Sequence, residues 1–281
     1  MSVMTKICQL VVISSFLRKE QPLCYSRNMK DYPIDLQATL FCGQCFGWQE
    51  EDGVFQSVVQ GKHVQFTRET FLSTIANDDR LAHYFDMDGG YLEANAHLTL
   101  LDPKLMLAVT KFGGLHILNQ DPFEVLICYI LSQNNNIARI RQMYTRLAQT
   151  YGTAVCDTLH AFPTASQMEE ATEEDLRKLG MGFRAPYMVD AIHKHALLEQ
   201  VPSLDFEKAL ELLMTIRGVG PKVGACILLY AFHRMEAFPM DTWMQKVMAA
   251  WFPGKDSTYF APYAGIAQQY LFHYARTEGL Q

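Results

Sequence analysis

A chain of 281 residues that is 49% apolar and 19% charged has material for one large or two modest folded domains, which excludes a fibrous or disordered polypeptide. Its formal charge of −6 excludes a protein that coats nucleic acid through bulk positive charge, while leaving room for a local basic patch. Seven scattered cysteines do not make the dense, even framework of a secreted disulfide scaffold, and no apolar run reaches the ~20 residues of a membrane-spanning helix. A reducing compartment is expected, with no secretion and no membrane partner.

Residues 1–28 open with Lys6 before an apolar stretch from Ile7 to Phe16, but Gln9 and two serines interrupt it and no small-residue cleavage site follows. The segment reads as a poorly structured extension. From 36 to 70 four segments have strand character: Ala38 to Phe41, Cys45 to Gln49, Val54 to Val59 and Val64 to Thr67. Asp52-Gly53 and Gln60-Gly61 tolerate positive φ between them, so an antiparallel meander is predicted. Strand signals end near residue 72. Asp121-Pro122 then supplies an N-cap and a first-turn proline, with Phe123, Leu126, Ile127, Ile130 and Leu131 at helical spacing. Further helices are predicted at 136–149, 166–178, 184–199, 205–216, 221–233, 241–252 and 261–276. The fold class is therefore α+β: a small antiparallel β-rich N-terminal domain over 29–115, then an all-α body over 116–281.

The most informative stretch is GVGPKVGAC, residues 218–226. A helix capped by Asp205 runs to Arg217, Gly218-Val219-Gly220 turns the chain, and Pro221 opens a second helix, making a helix-hairpin-helix over 205–233. Glycines permit the turn and let backbone N–H groups approach a phosphate, to which the second helix adds its positive end. An ordinary helix–helix turn has the same glycines, so two other residues carry the decision. Lys222 stands in the first turn, where a cation is poorly placed for stability but an amine is well placed to attack carbon and form a Schiff base. Asp241 ends FHRMEAFPMD, 19 residues later, where it suits both an N-cap and an electrostatic role.

GVGPK followed by FPMD resembles the helix-hairpin-helix base-excision DNA glycosylases. Four more blocks, LFCGQCFGWQE (40–50), LSQNNNIARI (131–140), LRKLGMGFRAPY (176–187) and YAGIAQQYLF (263–272), resemble the 8-oxoguanine branch. The resemblance implies a DNA glycosylase with AP-lyase activity. Lys222 would attack C1′ of the damaged nucleotide, with β-elimination of the 3′ strand after the Schiff base forms, and Asp241 would stabilise the developing positive sugar. Cys226 would be the pocket cysteine beside the lysine, and Gly43 would offer its carbonyl to the N7–H that only the oxidised base carries. Gln268 would bond the pairing edge of the flipped base and Phe272 would stack on it. Asn134 would fill the vacated gap, Arg139 and Arg184 would bond the orphaned cytosine, and Phe183 would serve as the wedge. Gly218 and Gly220 would bring the hairpin backbone to phosphate.

The implied partner is duplex DNA containing 8-oxoguanine, bound by a monomer in the cytoplasm or nucleoid of a bacterium or the nucleus of a eukaryote. No cofactor or catalytic metal is implied, apart from a monovalent cation on the hairpin carbonyls. Two positions depart from the pattern: Trp243 stands where a histidine is common, and Ala275 where its aspartate partner is common. An endonuclease III-like enzyme is disfavoured because no iron–sulfur cysteine cluster is present, and an alkylpurine enzyme because it needs no lysine at 222. A non-catalytic hairpin module and a redox protein using Cys42 and Cys45 are the alternatives from other classes. The acidic run Glu169, Glu170, Glu173, Glu174 and Asp175 must face away from DNA.

Overall fold

The computed structural model describes residues 34–280, so the extension read at residues 1–28 lies outside the described residues. The first element is a helix, α1 (Leu36–Phe41), capped by the Asp35 side chain, which accepts from Ala38 N at 2.9 Å. This corrects the strand predicted over Ala38 to Phe41. Leu36, Ala38, Thr39 and Leu40 are all buried, a pattern without the alternation of a half-buried strand, and the aspartate cap decides for helix. The strand predicted from Cys45 to Gln49 is likewise only its last residue, because residues 42–48 bend sharply to form one wall of the site described below.

The sheet is a three-stranded antiparallel meander of β1 (Gln49–Glu51), β2 (Val54–Val59) and β3 (Lys62–Thr67). Its two hairpins turn at Asp52-Gly53 and Gln60-Gly61, all four residues at positive φ, as their side-chain chemistry predicts. On β2, Phe55, Ser57 and Val59 face inward and alternate with half-buried residues. Phe55 stacks on Phe66 at 5.8 Å, and Phe66 continues to Trp48, Phe71 and Phe85 at 5.3, 5.0 and 5.8 Å. Each such ring contributes about 1.5–3 kcal/mol by burial, so the sheet is anchored by its aromatic underside.

Helices α2 (Phe71–Ala76), α3 (Asp79–Tyr84), α4 (Tyr91–Leu101) and α5 (Pro103–Phe112) follow. Then come α6 (Pro122–Leu131) and α7 (Ile137–Tyr151), close to their predicted bounds. The predicted helix 166–178 is a short 3₁₀ turn (Ser166–Met168) and α8 (Glu173–Lys178), because Thr172 and Asp175 form a reciprocal capping box that starts a new helix. The predicted 184–199 helix is α9 (Ala185–His193) followed by 3₁₀ turns over His195–Ser203. The body ends with α10 (Phe206–Met214), α11 (Pro221–Phe232), α12 (Thr242–Trp251) and α13 (Ala264–Glu278).

Helices α6 and α11 pack together at the centre, and residues 125–131 and 223–230 are buried on every side. All-round apolarity is the sequence signature of such core helices. A buried polar strut ties residues 39–44 to residues 116–120. Gln44 Nε2 donates to the Thr39 and His116 carbonyls at 2.8 and 2.7 Å, Gln44 Oε1 accepts from Leu118 N at 3.0 Å, and Gln120 Nε2 returns to the Gln44 carbonyl at 3.0 Å.

Glu124, in the first turn of α6, accepts from Tyr144 Oη at 3.2 Å, and desolvation, with Asp121 nearby, pushes its carboxyl up to about 8. A carboxyl raised in the folded state holds its proton natively while the unfolded chain has lost it. Its contribution to stability is therefore fully present below the ordinary value and is lost as pH rises toward 8. Glu124→Gln, neutral at every pH, is expected to match the parent near pH 5 and to exceed it by a few kcal/mol, on the order of 2, near pH 9. Thermal denaturation at the two pH values measures this, and an equal shift at both would refute the assignment.

Candidate active site

The hairpin forms as its sequence predicts, with one adjustment. Asp205 caps α10 through Lys208 N at 2.9 Å, but the helix stops at Met214 instead of reaching Arg217. Gly218 has φ +83°, and a Cβ there would stand 2.4 Å from Tyr187 Cδ2. Glycine is required twice over at this position. Gly220 has φ −101° and open space around its Cα, so neither backbone nor packing within the chain demands glycine there. Gly218→Ala is expected to cost about 1–3 kcal/mol in a urea melt and Gly220→Ala less than about 1, an ordering whose reversal would contradict this account.

Gly220 leads into α11, and Lys222 and Cys226 project from its first two turns toward a cleft of about 280 Å³. Lys222 Nζ lies 5.2 Å from the centre of the Tyr129 ring, which stacks on Tyr230 at 5.3 Å and 9°. Burial pushes the Cys226 thiol up, the Lys222 charge opposes that rise, and the Asp241 charge adds to it, so the three side chains share one electrostatic environment. Asp241 begins α12, where its Oδ1 accepts from Met244 N at 2.8 Å. Cap and cleft residue are thus the same side chain.

The opposite wall is the bend after α1. Gly43, at φ +107°, has Ile137 Cδ1 3.0 Å from where a Cβ would be, and its carbonyl accepts from Tyr129 Oη at 3.3 Å. From α13 come Gln268 and Phe272. Gln268 is buried and donates through Nε2 to the Pro239 carbonyl at 3.2 Å, while its Oε1 has no partner. Phe272 lies 5.2 Å below the Arg276 guanidinium, which in turn bonds the Cys42 carbonyl at 3.1 Å. Gly43, Lys222, Cys226, Asp241, Gln268 and Phe272, assembled from four separate segments of chain, all line this cleft.

The remaining predicted residues form a second group beside it. Asn134 is exposed at φ +48°, and Arg139 is exposed on the first turns of α7. Arg184 is buried against the carbonyls of Gln133 and Asn134, the latter at 3.1 Å, and the Arg139 charge is near enough to disfavour its own. Phe183 is 47% exposed with the Arg184 guanidinium 4.4 Å over its ring. Gln133 Nε2 donates to the Gly218 carbonyl at 3.0 Å, tying this group to the hairpin.

Two family models match adjoining segments of the chain: 8-oxoguanine DNA glycosylase, N-terminal domain, over residues 27–126, and HhH-GPD superfamily base excision DNA repair protein over 127–260. A crystal structure of Clostridium acetobutylicum 8-oxoguanine glycosylase/lyase, in complex with double-stranded DNA containing cytosine opposite 8-oxoguanine, superposes with a TM-score of 0.77 at 31% identity. The match covers 87% of this chain and 92% of that one. The chain belongs to the 8-oxoguanine DNA glycosylase family. A probable N-glycosylase/DNA lyase from Methanothermobacter thermautotrophicus is 30% identical over 217 residues, 64% of this chain and 70% of that protein. The N-glycosylase/DNA lyase OGG1 of Arabidopsis thaliana is 27% identical, over 80% of this chain and 68% of that protein.

For a member of the 8-oxoguanine DNA glycosylase family, the two departures are placed informatively. Trp243 is 40% exposed, lines the cleft and carries Lys246 5.2 Å over its ring, whereas Ala275 is buried. The Cys42 thiol, pushed up to about 11 by burial, and Cys45, also raised by burial, are held protonated, which disfavours a reactive CxxC. Sequence reading missed Tyr129, Tyr230, Phe46 and Arg276 as cleft residues. The tyrosines sit inside apolar helical runs and read as core; their hydroxyls were the signal, since a buried phenol needs a partner.

Proposed function

We propose that this protein binds duplex DNA, extrudes 8-oxoguanine from opposite cytosine into the cleft, excises it through Lys222 with Asp241 assisting, and nicks the strand by β-elimination in base excision repair. One observation carries the reading: an amine, a carboxylate and a thiol stand together on one side of a cleft whose other sides offer a glycine carbonyl, an unpartnered buried amide oxygen and a phenylalanine ring. In the first step the Lys222 amine forms a bond to C1′ as the base departs with its electron pair, and Asp241 balances the positive charge that develops on the sugar. The bound amine then gives up a proton and its lone pair expels O4′, which takes a proton as the sugar ring opens to the Schiff base; this acidifies C2′, a proton leaves there, and the 3′ phosphate departs with the electrons of the C3′–O bond. Work on DNA supports a location in the cytoplasm or nucleoid of a bacterium or the nucleus of a eukaryote.

Recognition follows from the same geometry. The Gly43 carbonyl accepts the N7–H of 8-oxoguanine; guanine presents a lone pair there and is repelled. The Gln268 amide, with Nε2 held by the Pro239 carbonyl and Oε1 without a partner, meets N–H groups of the pairing edge. Phe272 supplies a face for stacking. On the duplex side Phe183 enters the gap at a cost of a few kcal/mol, Asn134 fills it, and Arg139 and Arg184 address the unpaired cytosine. Gly220 brings the hairpin N–H groups to phosphate, so Gly220→Ala would weaken duplex binding with little loss of fold. A monovalent cation would be held by hairpin carbonyls, among which Thr215 accepts from Lys194 Nζ at 2.8 Å, Ile216 from Val219 N at 3.0 Å and Gly218 from Gln133 Nε2 at 3.0 Å.

Borohydride trapping tests the proposal. A duplex with one 8-oxoguanine opposite cytosine should give a covalent protein–DNA band, whereas thymine glycol or an alkylated purine should give little. Binding to the 8-oxoguanine duplex with no band would make Lys222 a phosphate contact and the protein a non-catalytic module.

A further inference from the structure

A second cavity, of about 430 Å³, lies between β1, β2 and one side of α7, with residues 158–160 on its rim. Its volume is that of a small-molecule site. Phe46, Trp48 and Tyr144 form its aromatic wall, and its basic side chains are Arg141, Arg146 and His160, with no aspartate or glutamate among the lining residues. In a chain of net charge −6 such one-sided lining is against the average. Two nitrogens in it, Arg141 Nε and His160 Nδ1, are buried without a hydrogen-bond partner. Arg141 is half-buried and desolvated, with its guanidinium 4.6 Å over the Phe41 ring and Nη2 donating to the Leu40 carbonyl at 3.4 Å, neither of them a counter-charge, while Arg146 is exposed and its Nη1 donates to the Leu179 carbonyl at 3.2 Å. A desolvated guanidinium is ordinarily paired, and a planar fork without its anion is suited to phosphate.

We propose that this cavity is a binding site for a phosphate-bearing ligand, with Arg141, Arg146 and His160 holding the anion. It is distinct from the catalytic cleft, and Phe46, which lines both, forms the partition. Two sources supply the same chemistry: a free mononucleotide, or a backbone phosphate of bound DNA.

The test uses the full chain, titrated calorimetrically with inorganic phosphate and with deoxyadenosine monophosphate, and by fluorescence anisotropy with an undamaged duplex between 50 and 200 mM salt, the span over which phosphate contacts lose affinity by about 10³-fold or more. The parent is compared with Arg141→Gln and, because Arg141 also packs on Phe41, with a second variant, Arg146→Gln/His160→Gln. Mononucleotide binding that weakens at least tenfold in both variants, with the duplex unaffected, supports the site and a free ligand. No mononucleotide binding, but a duplex affinity that falls with a salt slope shallower by about one, supports the site and a backbone phosphate. Folded variants that leave all three titrations unchanged overturn the proposal, and if Arg141→Gln does not fold the double variant decides on the same readings.

Discussion

Lys222→Gln is expected to erase the borohydride-trapped band and strand nicking together, with excision of 8-oxoguanine falling by at least ~10³-fold, the scale on which loss of a covalent nucleophile is felt. The fold should survive. Lys222 reaches over the Tyr129 ring and opposes the rise of the Cys226 thiol, but it forms no ion pair among the described residues, and glutamine keeps its stem. Burial of Cys226 alone keeps that thiol protonated, so it cannot stand in as nucleophile. Gel analysis of trapping and nicking, beside anisotropy on the same duplex, separates chemistry from binding. A band that persists in the variant would assign the nucleophile to another amine and end the reading of this cleft.

Asp241→Asn is the sharper partition. Aspartate caps α12 through Met244 N at 2.8 Å, and asparagine caps as well, so the melting temperature should move by no more than about 2 °C. What asparagine lacks is the charge facing the sugar. Single-turnover excision should fall by about 10²–10³-fold, the usual effect of deleting one preorganised electrostatic group. Asp241→Ala should lose the same activity and, in addition, about 1 kcal/mol of stability with the cap. If the asparagine variant excised 8-oxoguanine at the parental rate, Asp241 would be a cap only.

Much of this was legible before any coordinates, and for identifiable reasons. Gly218, Pro221 and Asp241 each answer a local demand of a turn, a helix start or a cap, Lys222 stands out by going against one, and local demands are written in consecutive residues. The hairpins at Asp52-Gly53 and Gln60-Gly61 were readable in the same way. The strands predicted at Ala38 to Phe41 and from Cys45 were not, because a fully buried short segment lacks a period and only its surroundings decide its shape. Tyr129, Tyr230 and Arg276 belong to the cleft through contacts spanning the whole fold. Arg184 shows another limit: its predicted charge was visible, but not that it braces the Gln133 and Asn134 carbonyls.

The strut around Gln44 sets an order of events during synthesis. The bend that carries Gly43 is stabilised by bonds to residues 116, 118 and 120, and the cleft it walls is completed only by Phe272 and Arg276, about 150 residues further along the chain. At ribosomal speeds of about 5–20 residues per second, the N-terminal wall waits many seconds for its counterpart. A nascent or truncated chain thus carries the hairpin without a finished cleft. Premature release before α13 should yield a polypeptide whose cleft lacks the Gln268 and Phe272 wall.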